Sequence, residues 1–507
     1  MNSIDFEKDA PKLTSVACDT VVSCDVSEEF VLPDYVPEVR RVLHTRVSAL
    51  PENKYISGDT VDFGGTLTYL VIYTDDEGRL CSVPLSSSYE SSCPIKGASD
   101  VFIGTAVDTS ATRVSAPRKL SIKSRLKSRV LGFEGQTVFE ELKNKSSADE
   151  MFIERLKGEF DTVSLAYGEL NGIKISEKLD TGSRKDLRAI LCDASCNLTE
   201  VHAVSGGVNV RGGACVKVVC ESEGEIFTVS KSVPINECVE VLGAVEGDFG
   251  VAHARCVSLS ISSEENDTGC ELFFDLSCDI DAEVYRNASS ALTLDCYSTK
   301  VATDIEYEDR TIYSLMNCGN DTLPINESIK RKNKDIQEIV TVLCDPVCEK
   351  YEAKGNMLCF NARLCICVIG KGKVGEDGTF EYLSENYEIP VKHEWVLNRS
   401  CQGSCIQIGV DVSSLDARIT DDKIFFNGDM YPSFCVFDKN QVKTVSSGAL
   451  NHNIEYKKDA SCVRAVFPKC NDTLWSIAKR YHTTREKIMK DNDLLSESLD
   501  GVCAIIV

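Results

Sequence analysis

Cysteine and histidine are the side chains best suited to metal or redox chemistry, and this chain carries 25 of the first and six of the second. Their spacing decides what they can do. Cys192/Cys196, Cys344/Cys348 and Cys401/Cys405 are Cys-x-x-x-Cys pairs, one residue longer than the hooks of structural zinc sites. Cys365 and Cys367 lie two positions apart, so on a strand they share a face. His44, His202, His253, His393, His452 and His482 are scattered, and His393-Glu394 lacks the second histidine of a zinc-protease helix. The chain has no nucleophile elbow, Ser-His-Asp order, phosphate-cradling loop or dinucleotide fingerprint. Paired carboxylates carry no signal in so acidic a sequence. The reading is therefore non-enzymatic, with no catalytic residue, no cofactor and no metal site. Most thiols read as small core hydrophobes, with slow oxidation into cross-links as a secondary expectation.

Bulk composition narrows the partners. Acidic residues outnumber basic ones 79 to 55, a formal charge of −24, which weighs against nucleic acid and against anionic membrane surfaces. No apolar run approaches the roughly 18 residues of a spanning helix, so no membrane insertion is expected. The opening MNSIDFEKDAPKLTSV lacks the basic start and apolar stretch of a secretory signal. Cytoplasmic synthesis with mostly reduced thiols follows as an expectation.

The elements that must position any site come from a repeat. Val42-Leu43-His44, Ile190-Leu191-Cys192 and Val342-Leu343-Cys344 open similar segments 148 and 152 positions apart. Gly64-Gly65 and Gly212-Gly213 keep the 148 spacing, and prolines recur at Pro84, Pro234 and Pro390. A period this long means three whole domains rather than a solenoid of small units. Strand signals dominate each one: Thr66 to Tyr73, Ala214 to Cys220 and Ala362 to Val368 are rich in β-branched, aromatic and cysteine residues. Leu120, Ile122, Leu126 and Val130 alternate with Ser121, Lys123, Arg125, Lys127 and Arg129. Leu276, Cys278, Ile280, Ala282 and Val284 likewise alternate with Ser277, Asp279, Asp281 and Glu283. Such half-buried strands fit antiparallel sandwiches, a mainly β chain. The basic ladder and the acidic ladder, which includes Asp275, could also attract one another between domains or copies. Helical signal is weak, confined to Asp149 to Lys157 and to short stretches before each aliphatic pair. The polar, aperiodic segment 441–461 reads as a linker.

The stretch Val31-Leu-Pro-Asp-Tyr-Val-Pro-Glu-Val-Arg-Arg-Val-Leu43 resembles the opening of SPOCS domains, found in clostridial spore and exosporium proteins. The resemblance covers most of residues 20 to 440 and implies three tandem domains at 1–135, 136–297 and 298–440. From Val463 the chain is similar to a LysM module, carried by Asn-Asp-Thr-Leu-Trp-Ser-Ile-Ala-Lys-Arg-Tyr-His-Thr-Thr at 471–484. That likeness implies a small β-α-α-β domain at 462–507, with strands near 463–468 and 502–507 and helices near 473–481 and 484–491. Residue chemistry agrees. Asp472 or Thr473 can cap the first helix and Thr483 or Thr484 the second, and Leu474, Ile477, Ala478 and Tyr481 form a buried stripe.

In LysM modules the ligand groove lies between the loop into the first helix and the loop out of the second. The resemblance therefore implies a site at Asp472, Thr473 and Leu474, and at Asn492, Asp493, Leu494 and Leu495. Trp475 and Lys479 share a helix face off the buried stripe and extend that site as an expected exposed anchor and its cationic rim. Asn471 replaces the family's usual Gly, and Asp500-Gly501 its Pro-Gly, which weighs against sugar. SPOCS domains followed by LysM are similar to clostridial proteins that help the coat encase the forespore in the mother cell. There the LysM module binds the coat-basement ATPase among other coat proteins. Peptidoglycan glycan is the alternative ligand.

Overall fold

The computed structural model describes residues 12–95, 98, 100–137, 141–143, 152–266, 269–332, 334–375, 378–456 and 463–507. The first repeat contributes β1 (Lys12–Val31), β2 (Arg41–Ser57), β3 (Thr60–Thr74), β4 (Leu80–Pro94), β5 (Asp100–Ala116) and β6 (Lys119–Thr137), followed by a short β7 (Glu141–Lys143). The second contributes β8 (Ile153–Arg184), β9 (Arg188–Val204), β10 (Gly207–Ser222), β11 (Glu225–Glu240), β12 (Phe249–Asn266) and β13 (Gly269–Ser298). The third contributes β14 (Val301–Asn320), β15 (Leu323–Lys330), β16 (Glu338–Lys354), β17 (Met357–Lys371), β18 (Tyr382–Val396), β19 (Cys405–Val412), β20 (Asp416–Thr420) and β21 (Lys423–Glu455). The C-terminal module adds β22 (Ala465–Val466), α1 (Leu474–Arg480), α2 (Arg485–Asp491) and β23 (Ile505–Ile506). Strand makes up 75% of the chain and helix 3%, so the expected mainly β class is borne out.

Each repeat is two antiparallel sheets around one core. The middle strands form the meanders β2-β3-β4, β9-β10-β11 and β16-β17-β18. The flanking strands form the facing sheets β1-β6-β5, β8-β13-β12 and β14-β21-β15, the last also carrying β19 and β20 on β21. Alternation explains the packing. Leu120, Ile122, Leu126 and Val130 on β6, and Leu276, Cys278, Ile280, Ala282 and Val284 on β13, are all buried as their period-two pattern requires. Their alternate neighbours leave the core. Arg125 pairs with Asp25, Arg129 with Asp19 and Lys127 with Asp108, while Asp279 and Asp281 pair with Arg255. Within the chain, these five ladder residues are thus paired inside their own sheets rather than with the opposite ladder.

Other expectations are also corrected. Strand β8 begins at Ile153, where a weak helix was read over Asp149 to Lys157; residues 149–151 lie outside those described. The stretches before the aliphatic pairs are turns and bends rather than helix. Residues 441–455, read as linker, are the second half of the 33-residue β21 and pair with β14 as far as Glu455; residues 457–461 lie outside those described. Polar residues on both faces erased its periodicity, but a backbone ladder needs none. Pro84 lies opposite Leu70, whereas Pro234 and Pro390 lie opposite Gly213 and Arg363, so Pro84 sits elsewhere in its strand. All three prolines are on the outer strand of their meander, where a missing N–H costs no ladder bond.

The repeats meet about a pseudo-threefold centre. Bulges leave Leu43, Ile190 and Val340 out of the β2-β3, β9-β10 and β16-β17 ladders. These three, one in each repeat, are the structural equivalents, rather than Leu43, Leu191 and Leu343. They pack with Ile72, Val219 and Ile369 and with Leu80, Ile226 and Tyr382 into one buried cluster. A bulged residue's carbonyl is released from its own sheet, and here each finds a hydroxyl on another repeat. Ser82 donates to the Ile190 carbonyl (2.5 Å), Thr228 to Val340 (2.5 Å) and Ser384 to Leu43 (2.8 Å), closing a ring. Off this ring, the half-buried Arg46 guanidinium joins Asp193 and Asp345, one repeat to the other two.

Candidate functional site

The C-terminal module is built locally much as its residues dictate. Thr473 caps α1 by accepting from the Ser476 N–H (3.1 Å), and the Ser476 hydroxyl accepts from the Thr473 N–H (3.0 Å), a reciprocal capping box. Thr484 caps α2 by accepting from Lys487 N–H (3.1 Å). Leu474, Ile477, Ala478 and Ile488 are buried together with Val466 and Ile505, and Tyr481 packs at their edge. Strands β22 and β23 pair antiparallel, Ala465 with Ile506 and Val466 with Ile505.

The nine candidate residues fall into three groups. The first holds the module together. Asp472 binds Arg480 (2.6 Å), and that hydrogen bond, aided by the Lys469 N–H, lowers its carboxyl below the usual range. Thr473 is the cap and Leu474 is core. Asn492 ends α2 and clamps it to the last strand: its side chain donates to the Ile488 and Ile506 carbonyls and accepts from the Ile506 N–H. The half-buried Leu494 closes the turn by donating its N–H to Met489.

The second group, Trp475 and Lys479, does share a face, but that face is seated on the second repeat. The expectation of an exposed Trp475 is corrected: it is 7% exposed. Its indole N–H donates to Asp295 (2.8 Å), and Lys479 reaches both carboxylate oxygens of Asp295 at 2.7 Å. Tyr297 packs edge-on to the indole at 4.9 Å and donates its hydroxyl to the Thr483 carbonyl. Arg485 stands 5.2 Å over the indole and reaches the Arg155 carbonyl. Tyr456 stacks on His482 at 3.4 Å. Burial alone would raise the Asp295 pKa, but hydrogen bonds from Lys479, Trp475 and Tyr307 outweigh it and leave it lowered.

The third group faces solvent. Asp493 holds a left-handed turn (φ 52°) and is exposed. Leu495 is 101% exposed, as free as a leucine can be. Sequence reasoning missed its companions on the module, the exposed Val463, Phe467 and Ile506. Their signal was a large apolar side chain beside a two-residue strand too short to bury it. The seat residues Asp295 and Tyr297 carried no local signal.

Elsewhere a cavity of about 820 Å³ lies where the three repeats meet. Tyr167, Arg255 and Asp281 line it, with Lys54 and Asp411. Among the described residues no group of three or more His, Cys, Asp or Glu side chains is placed to hold a metal ion. No described helix is long and apolar enough to cross a membrane.

Residues 469–499 match the LysM domain family. No curated protein and no solved structure matches the chain.

Proposed function

We propose that this chain is a non-enzymatic assembly protein whose LysM module captures a protein partner, the basement ATPase of the clostridial spore coat, in the mother cell at the forespore surface. The three repeats then act as a rigid SPOCS-type stand, with other coat proteins as further contacts. The observation that carries the reading is the apolar character of the module's free surface. Leu495 is fully exposed at the tip of the loop out of α2, and Phe467, Val463 and Ile506 are exposed on the same module. Exposed large apolar side chains gain most by entering a protein pocket. A sugar groove needs polar groups aimed at hydroxyls, and Asp472, Thr473 and Asn492 are engaged in holding the module's own backbone. Glycan binding is the second reading, favoured by the LysM match itself, because LysM domains commonly bind peptidoglycan chains.

Purified full-length protein separates the two. Capture of the immobilised basement ATPase should be strong, and Leu495→Glu should weaken it at least about tenfold, roughly 1.4 kcal/mol. Sedimentation with peptidoglycan sacculi, competed by N-acetylglucosamine oligomers and without ATPase capture, would overturn the assembly reading in favour of glycan.

A further inference from the structure

The second repeat holds two thiols face to face across its sandwich. Cys196 on β9 belongs to one sheet and Cys278 on β13 to the other, and their sulfurs lie 3.2 Å apart in the core. Cys256 on β12 is the cross-strand neighbour of Cys278, so a third thiol stands beside the pair. A disulfide bond is about 2.05 Å long, so bonding needs the sulfurs to close by roughly 1.2 Å, within reach of side-chain adjustment. Cys278 is fully buried and Cys196 is 8% exposed, so only an oxidant as small as a peroxide suits the pair.

We propose that Cys196 and Cys278 are an oxidative modification site that takes a small two-electron oxidant of the peroxide class and closes into an intersheet disulfide. The thiolate of one cysteine attacks a peroxide oxygen, the O–O bond breaks and a sulfenic acid forms while hydroxide leaves. The second sulfur, giving up its proton, displaces the sulfenic hydroxyl. Two thiols and one peroxide thus yield one disulfide and two waters, with sulfur oxidised and peroxide oxygen reduced. The hydrogen bond between the sulfurs supports this order. It favours a state with one shared proton, lowering the Cys278 pKa and raising that of Cys196. The bridge would join the meander sheet of the second repeat to its facing sheet across 82 residues of chain. That closure confines the unfolded chain, which is how disulfides stabilise.

The full-length protein, purified with reductant, is treated with hydrogen peroxide, then denatured and alkylated before trypsin digestion. The expected product joins peptide 189–211 to peptide 256–286, with fragment spectra assigning the bridge to Cys196 and Cys278. Dithiothreitol should reverse it, and the oxidised protein should unfold at a higher urea concentration than the reduced one. Cys196→Ser should abolish both the product and the shift. Cys278→Ala, which keeps the core apolar, repeats the test should serine weaken the fold. Two alkylated thiols after peroxide would overturn the proposal, as would bridges confined to other pairs, such as the cross-strand Cys318 and Cys435.

Discussion

Asp295 accepts hydrogen bonds from three side chains at once, two of them on the LysM module, so the seating of that module depends on one carboxylate. Asp295→Ala should release Trp475 from its seat. With only two tryptophans in the chain, the change is readable as a red-shifted emission and easier quenching by acrylamide. The same dependence gives a pH response with a definite sign. Because the carboxyl pKa is lowered by folding, its contribution is complete above the ordinary aspartate value. That contribution fades as pH falls through the lowered value. Emission should therefore hold steady at neutral pH and shift red only below about pH 4. A shift beginning near pH 6 would mean that another group controls the seat. Trp475→Glu would set a second carboxylate beside Asp295, so it should unseat the module rather than merely blunt a docking surface. The caps Thr473 and Thr484 were legible in the sequence because a cap is recognised from its own helix start. The burial of Trp475 was not, because its partner Asp295 lies 180 residues away.

At the scale of elements, the bulge in the first meander strand of each repeat does two jobs. It turns Leu43, Ile190 and Val340 toward the common centre, and it frees their carbonyls for the hydroxyls of Ser384, Ser82 and Thr228. Thr228→Val keeps the β-branched shape and deletes the donor, leaving the Val340 carbonyl without that bond. The expected cost is about 1 kcal/mol in urea unfolding, and Ser82→Ala should cost about as much. No change in either variant would mean that water replaces the hydroxyls. Alternation made β6 and β13 legible, because one face of each is buried and the other is charged. The far half of β21 was not legible. It is held by pairing with β14, and a ladder bond is made by backbone that looks alike in every sequence. An approximate period was legible from the glycine and aliphatic anchors, but the register was not, since Leu43 corresponds to Ile190 and Val340 rather than to Leu191 and Leu343. Pro84 misled because an outer strand tolerates proline at several positions.

On the scale of the whole molecule, three repeats of one chain do what three subunits of a trimer would do, and the sequence differences among them make the contact directional. Arg46 has no matching arginine in the other repeats. Its structural counterpart in the second is Asp193, with which it pairs, and Asp345 of the third joins them. Burial alone would lower the Arg46 pKa, but the fields of Asp193 and Asp345 outweigh it and keep the guanidinium charged at every accessible pH. Removing one member of a half-buried ion group leaves the others uncompensated, and the loss usually exceeds what the pair was worth. Arg46→Leu should thus destabilise the assembled repeats by about 2 to 3 kcal/mol. Adding Asp193→Asn and Asp345→Asn to it should recover part of that loss, because the stranded charges are then gone. A double-mutant cycle between Arg46→Leu and Asp193→Asn measures the coupling directly, and about 1 kcal/mol or more is expected. Coupling within about 0.3 kcal/mol of zero would leave the apolar cluster of Ile72, Val219 and Ile369 as what joins the repeats. In that event Val219→Asp, not Arg46→Leu, should be the substitution that makes the chain prone to proteolysis between its repeats.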